Sequence, residues 1–309
     1  MAQIQRVDDD LILIDTHYLQ TPQAIGVYLL LGDRPALIET GPASTVETLL
    51  EGVRAAGLQP RDLQAIAVTH IHLDHAGAAG ALVRRFPHLQ VFVHPVGAPH
   101  LIDPTKLLAS AHRLYGDDLH RLFGDVVPIP KDQVYILQDR DMIKLGSRRL
   151  LARDTPGHAR HHLVFFDETG GDLFTGDAAG VALPGSRYVR APTPPPEFDA
   201  ALWQGTVARM RALQPRRLLL THFGPHEWVE ELLTQLSECL QTVTETVREA
   251  LAAGLDEDAI IEQLRGDASR EIEARDGPDA SARYEVVMPI RLSVLGLIRY
   301  AQIQTGIKG

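Results

Sequence analysis

Thr69-His70-Ile71-His72-Leu73-Asp74-His75-Ala76-Gly77 places three histidines and an aspartate within six residues. The preceding Leu63-Gln64-Ala65-Ile66-Ala67-Val68 is mostly apolar and of strand length. The residues that follow, Ala78-Ala79-Gly80-Ala81-Leu82-Val83, are small and then apolar, as in the first turns of a buried helix. The histidines therefore sit on a loop at the C-terminal end of a strand, where an α/β sheet places its ligands. Imidazole nitrogen and carboxylate oxygen suit Zn²⁺, Mn²⁺ or Fe²⁺, and a loop can turn positions i, i+2, i+4 and i+5 toward one point. The competing reading is a polar loop in a chain that holds 14 histidines. Four specified residues at fixed offsets arise by chance in roughly one such chain in a few hundred, so metal binding is preferred.

Composition narrows the classes. A chain of 309 residues has room for one large α/β domain, or one domain with a small appendage. With 45% apolar and 23% charged residues it is ordinary globular material. Lys and Arg number 30 against 40 Asp and Glu, a formal charge of −10 with no basic block. That argues against a nucleic-acid partner, whose phosphates call for a positive stripe. The single cysteine, Cys239, excludes an intramolecular disulfide and a thiolate-rich zinc site. Asp8-Asp9-Asp10 ahead of Leu11-Ile12-Leu13-Ile14 lacks the form of a signal peptide, and no stretch approaches the length of a membrane span. The expectation is a cytoplasmic enzyme with no membrane partner.

His70-x-His72-x-Asp74-His75 resembles the signature of the metallo-β-lactamase-fold hydrolases, a family that includes glyoxalase II, lactonases and tRNA-processing nucleases. The resemblance extends along the chain in the family's order. Thr155-Pro156-Gly157-His158 matches the turn that supplies the next ligand, Gly176-Asp177 the bridging carboxylate, and His222 the last ligand. It implies an α/β fold, the four-layer αββα sandwich, of the glyoxalase II-like branch, with a C-terminal helical extension. By family position one metal takes His70, His72 and His158, the other takes Asp74, His75 and His222, and Asp177 bridges them. Glu39 stands where the family carries an aspartate behind the ligands, and His162 matches a supporting histidine. His161 has no counterpart and is expected to be an exposed loop residue.

The implied cofactors are two divalent transition-metal ions, zinc foremost, with iron or manganese as alternatives. Water activated between two such ions attacks a carbonyl or phosphoryl centre, and Asp74 shuttles the proton. Three readings follow. The first is a binuclear hydrolase of a small ester, thioester or lactone. The second is a mononuclear non-haem iron oxidoreductase resembling the persulfide dioxygenases, using His70, His158 and Asp177 as a facial triad. The third is a binding protein without catalysis, for which seven ligands have no use.

The pattern divides the chain into a catalytic domain over residues 1–226 and a helical region over 227–309. Strands are expected at 11–14, 25–31, 35–41, 89–94 and 134–137, and further ones at 142–145, 149–153, 163–166, 172–175 and 216–221. Residues 95–133 form a long excursion carrying an amphipathic helix at Thr105–Tyr115, expected to act as a lid. His112 and Tyr115 on it, and Tyr188 in the Gly- and Pro-rich stretch 180–196, are the candidate substrate contacts. Residues 198–213 form a helix, and a second runs up to Gly254 with apolar residues at three-to-four spacing. A short helix follows at 256–264, then a charged loop at 266–280, then a helix opening after Pro289. The C-terminal helices need a surface to cover their apolar faces, on this chain or in a homodimer. The expected partner is a small-molecule substrate.

Overall fold

Strand β2 (Leu11–Asp15) is buried at every position, and its alternation shows why. Leu11 and Leu13 point at Phe165, Phe174 and Leu219 of an opposing sheet, while Ile12 and Ile14 point at Leu49, Leu50 and Val53 of a helix. A strand covered on both faces reads as a continuous apolar run. The computed structural model describes residues 2–277 and 280–305.

The first sheet contains β1 (Gln3–Asp8), β2, β3 (Gly26–Leu30), β4 (Ala36–Ile38), β5 (Ala65–Ala67), β6 (Gln90–Val93) and β7 (Val134–Ile136), in that spatial order. Its β1 to β4 edge is antiparallel, and β4 to β7 are parallel. The connections are α1 (Val46–Ala55) between β4 and β5, then α2 (Leu73–Ala76) and α3 (Ala79–Arg85) between β5 and β6. Before β7 come α4 (Ala98–Ile102), α5 (Thr105–Tyr115) and α6 (Leu119–Phe123). The second sheet contains β8 (Met142–Leu145), β9 (Arg148–Asp154), β10 (Leu163–Asp167), β11 (Asp172–Gly176), β12 (Arg217–Leu220) and β13 (Gly224–His226). Helix α7 (Ala200–Ala212) crosses between the parallel strands β11 and β12. Among the described residues four helices follow: α8 (Val229–Ala252), α9 (Glu257–Asp276), α10 (Ala280–Val287) and α11 (Ile290–Thr305).

The layers are therefore helix, sheet, sheet, helix. Val53 and Leu82 cover one sheet, and Trp203, Val207 and Leu236 cover the other. Helix α8 buries Leu232, Leu233, Leu236, Leu240 and Val247. Each such side chain contributes roughly 1.5–3 kcal/mol, more than helix propensity supplies, so packing holds the helix. Helices α8, α9 and α11 share one apolar core with α7 and the second sheet, through Ile260, Val294 and Leu297.

Several elements differ from the sequence expectation. Residues 266–276 are not a loop, because α9 continues to Asp276 with Ile272 fully buried. Its charges are spent on solvent-facing pairs one turn apart, such as Glu271 with Arg275 at 2.8 Å. Pro278 and Asp279, within the same expected loop, lie outside the described residues. Helices α4, α6 and α10 and the edge strands β1 and β13 are additions. Among the described residues no single helix is long and apolar enough to cross a membrane; α10 and α11 together pass on length and composition, but are bent by 62°.

Candidate metal centre

Strand β5 delivers the histidine loop, and α2 begins inside it, so Asp74 and His75 sit in the first turn of a four-residue helix. Thr40 pins that turn by donating its N–H and its hydroxyl to His75 O, at 2.8 and 2.9 Å. His158 comes from the turn after β9, Asp177 directly follows β11, and His222 follows β12. All of these lie at one end of the sandwich. Gly176 makes the approach possible: it has φ +49°, and a Cβ there would collide with Thr69 Oγ1.

The donors form two groups that share Asp177. His70 Nε2 and His158 Nε2 each lie 2.9 Å from His72 Nδ1, and His158 Nε2 is 3.3 Å from Asp177 Oδ2. On the other side, His75 Nε2 is 3.2 Å from Asp177 Oδ1 and 3.6 Å from Asp74 Oδ2. His222 Nε2 is 3.5 Å from both those oxygens. His75 Nε2 and Asp177 Oδ1 are buried polar atoms without a hydrogen-bond partner, which is costly unless a cation takes their lone pairs. The residues fit: each group brings nitrogen and carboxylate donors suited to a divalent transition-metal ion.

The outer hydrogen bonds aim these nitrogens inward. His158 Nδ1 donates to Pro192 O at 2.8 Å and His222 Nδ1 to Ala24 O at 2.7 Å, leaving both Nε2 lone pairs on the site. Thr69 Oγ1 donates to Glu39 and lies 3.0 Å from His70 Nδ1. Glu39 is buried, sits in the left-handed region at φ +69°, and brings Oε1 to 3.3 Å from His75 Nδ1. His162 is buried behind the ligands rather than among them. Its Nε2 accepts the Asp177 N–H at 3.2 Å, and its Nδ1 lies 2.9 Å from Thr155 Oγ1.

Protonation splits the centre. Burial, then neighbouring imidazoles, holds His70 well below its ordinary value; burial, with His158 beside it, takes His72 down to about 3, and burial lowers His158 too. Burial pushes His75 and His222 the same way but is outweighed by Asp177 and Asp74, so both are raised. Burial would raise Asp74 and Asp177, yet His75 and its neighbours hold both low. Without an ion, protons on His75 and His222 would balance the carboxylates; metal binding displaces them.

A model of the metallo-β-lactamase superfamily matches residues 21–222. The chain belongs to the metallo-β-lactamase superfamily. As a member it is a metal-dependent hydrolase. It is 29% identical over 229 residues to a metallo-β-lactamase fold-containing protein of Sulfurisphaera tokodaii, spanning 71% of this chain and 82% of that one. A metallo-β-lactamase family protein from Thermus thermophilus has the same fold, with a TM-score of 0.68 over 97% of this chain and 95% of that one at 21% identity. A hydroxyacylglutathione hydrolase of Aeromonas hydrophila is 31% identical over 131 residues, 42% of this chain and 38% of that protein.

In this metallo-β-lactamase-fold chain the donors open into a cleft of about 270 Å³. Asp74 reaches it with its side chain 28% exposed, whereas His70 and His75 are sealed beneath. Tyr115, from the excursion, lines the cleft. His112 does not: it is exposed, pointing off the α5 face that carries Leu107 and Ala111. Tyr188 does not reach the cleft either; it is buried against Tyr284, with ring centroids 5.3 Å apart. His161 is buried rather than exposed, and its Nε2 lies 3.3 Å from Glu197 at the cleft wall. Sequence reasoning passed over Glu197 and Met288, and only the Pro289 break hinted at the latter.

Proposed function

We propose that this chain is a binuclear metal-dependent hydrolase of a small ester, thioester or lactone, with zinc as the first choice of metal. The observation that carries the reading is Asp177, whose two oxygens face one donor group each. Bound divalent ions would supply Lewis acidity and lower the pKa of water from about 16 to about 7.

The chain's own residues do the rest. Asp74 is the only carboxylate of the centre with substantial access to the cleft, so it stands where it can take a proton from the attacking water. As the acyl carbon gains that oxygen, its bond to the leaving alkoxide or thiolate breaks, and Asp74 can return the proton to the leaving group. The Asp74 carboxyl would be kept ionised for this task by bound ions, as it is by His75 and His222 in their absence. Apolar residues such as Leu107, Leu114 and Leu292 line the cleft and lower the polarity around these groups.

Asp74, His75 and His222 also distinguish this reading from the single-iron alternative, which would leave all three without a task. The shortage of cationic side chains in the cleft, where Lys106 is the one Lys or Arg among the described lining residues, argues against a glutathione conjugate with its two carboxylates. The test is elemental analysis of purified protein joined to a panel of ester, lactone, thioester and phosphodiester substrates, with and without chelator. Two ions per chain and chelator-sensitive ester, lactone or thioester turnover are expected. One iron per chain with oxygen uptake would replace the reading with the oxidoreductase.

A further inference from the structure

The floor of the cleft is polar, but two of its walls are not. Leu107, Ala111 and Leu114, at i, i+4 and i+7 of α5, turn one helix face into it. Val287, Met288 and Leu292, from the break between α10 and α11, also line it. That break is built rather than loose. Arg190 Nη1 donates to Met288 O at 3.1 Å and pairs with Glu285 Oε1 at 3.3 Å. Thr193 Oγ1 donates to Ser293 O at 2.9 Å. Gly296 lets α11 lie so close to Thr193 O that a Cβ would collide with it.

We propose that these two walls hold an uncharged aliphatic chain, so that the enzyme's substrates are esters, thioesters or lactones of medium-chain acids. The reacting carbonyl lies over Asp74 and the chain runs between α5 and the α10–α11 break. The proposal rests on the hydrolase reading of the same centre. A cleft of about 270 Å³, at about 30 Å³ per water-sized group, has room for a medium-length chain beside the reacting carbonyl but not for a long one. A charged acyl group would meet only one cation on these walls.

The experiment measures kcat/KM of the metal-loaded protein on p-nitrophenyl esters from acetyl to decanoyl. In parallel, calorimetry follows binding of 2-alkanones of increasing length, which are uncharged and not hydrolysed. The expected kcat/KM rises by up to about fourfold per methylene and levels off near octanoyl. Ala111→Phe, and Ser110→Phe at the more exposed edge of the same helix face, should move the optimum to shorter chains with metal content unaltered. A series that is flat or falls with length, while acetyl ester is still turned over, overturns the chain proposal and leaves the hydrolase reading standing. No turnover at any length, with alkanone affinity rising along the series and weakened in Ser110→Phe, supports the chain site and overturns simple esters as the substrate. Alkanone affinity independent of length overturns the site.

Discussion

Glu39 Oε1 lies 3.3 Å from His75 Nδ1, and the same carboxylate accepts the hydroxyl of Thr69, whose oxygen stands 3.0 Å from His70 Nδ1. One buried acid thus backs a donor of each group. Glu39→Gln keeps the size but removes the charge and turns one acceptor into a donor. Lost partners of this kind typically weaken metal affinity by about 10- to 100-fold. That drop, read by competition with a chromophoric chelator, is expected with circular dichroism unchanged. Wild-type affinity in Glu39→Gln would reduce the residue to a filler of its position.

Asp74 and the histidines around it should separate in their effects. His70→Ala removes a nitrogen donor, so metal occupancy and activity fall together. Asp74→Asn keeps the size and one oxygen but cannot take a proton. Turnover should fall by about 10²- to 10⁴-fold, the usual loss of a general acid or base, with at least one ion retained through His70, His72 and His158. Full activity with metal in place would move the proton to another group.

How much of this was legible depends on range. The loop from His70 to His75, and Asp177 after β11, are local patterns that follow strands, and the fold places such strand ends together. The outward position of His112 was not legible, since Leu108 one turn before it belongs to the apolar set of α5 and only docking shows that Leu107, Ala111 and Leu114 face the cleft. Strand β1 was not either, because Gln3–Asp8 is an edge with no buried side chain and no apolar run. Charge hid the second half of α9, where only Ile272 marks the buried side. Tyr188 follows Asp177 in sequence but turns to Tyr284, a contact 96 residues away that no local signal encodes. The apolar cleft wall at residues 287–292 arises in the same way, from docking of distant helices.

A second acid-base cluster ties β1 to the second sheet. Buried Arg217 donates Nε to Asp172 Oδ1 at 3.0 Å and Nη2 to Oδ2 at 2.6 Å, and it also reaches Asp8. Asp172→Ala leaves this guanidinium with the half-exposed Asp8 as its remaining partner, so a loss of up to about 3 kcal/mol is expected in denaturant unfolding. Burial works against ionised Asp8, but Arg217 and Arg216 hold its carboxyl below the ordinary value. A depressed folded-state value stabilises above the unfolded value and loses that contribution as pH falls through the folded one. The Tm difference between wild type and Asp8→Asn should therefore be constant near neutrality and shrink below about pH 4. A difference that grows on acidification would contradict the ion-pair role.

Gly296 offers a test of whether the α11 seat matters to the cleft. A Cβ there would collide with Thr193 O and lie 2.8 Å from Pro194 C, both backbone atoms that cannot swing aside. Gly296→Ala must push α11 away from the segment at Thr193, and forced overpacking of this kind costs about 1–3 kcal/mol. The gain in helix propensity, about 1 kcal/mol for Gly to Ala, offsets only part of this. A modest fall in Tm is expected. The first turn of α11 carries Leu292 and Ser293 into the cleft, whereas the donors come from other elements. Rates on long-chain esters should therefore fall more steeply than metal content or the rate on acetyl ester. A variant that melts and turns over like wild type across the ester series would show that α11 can slide without disturbing the wall.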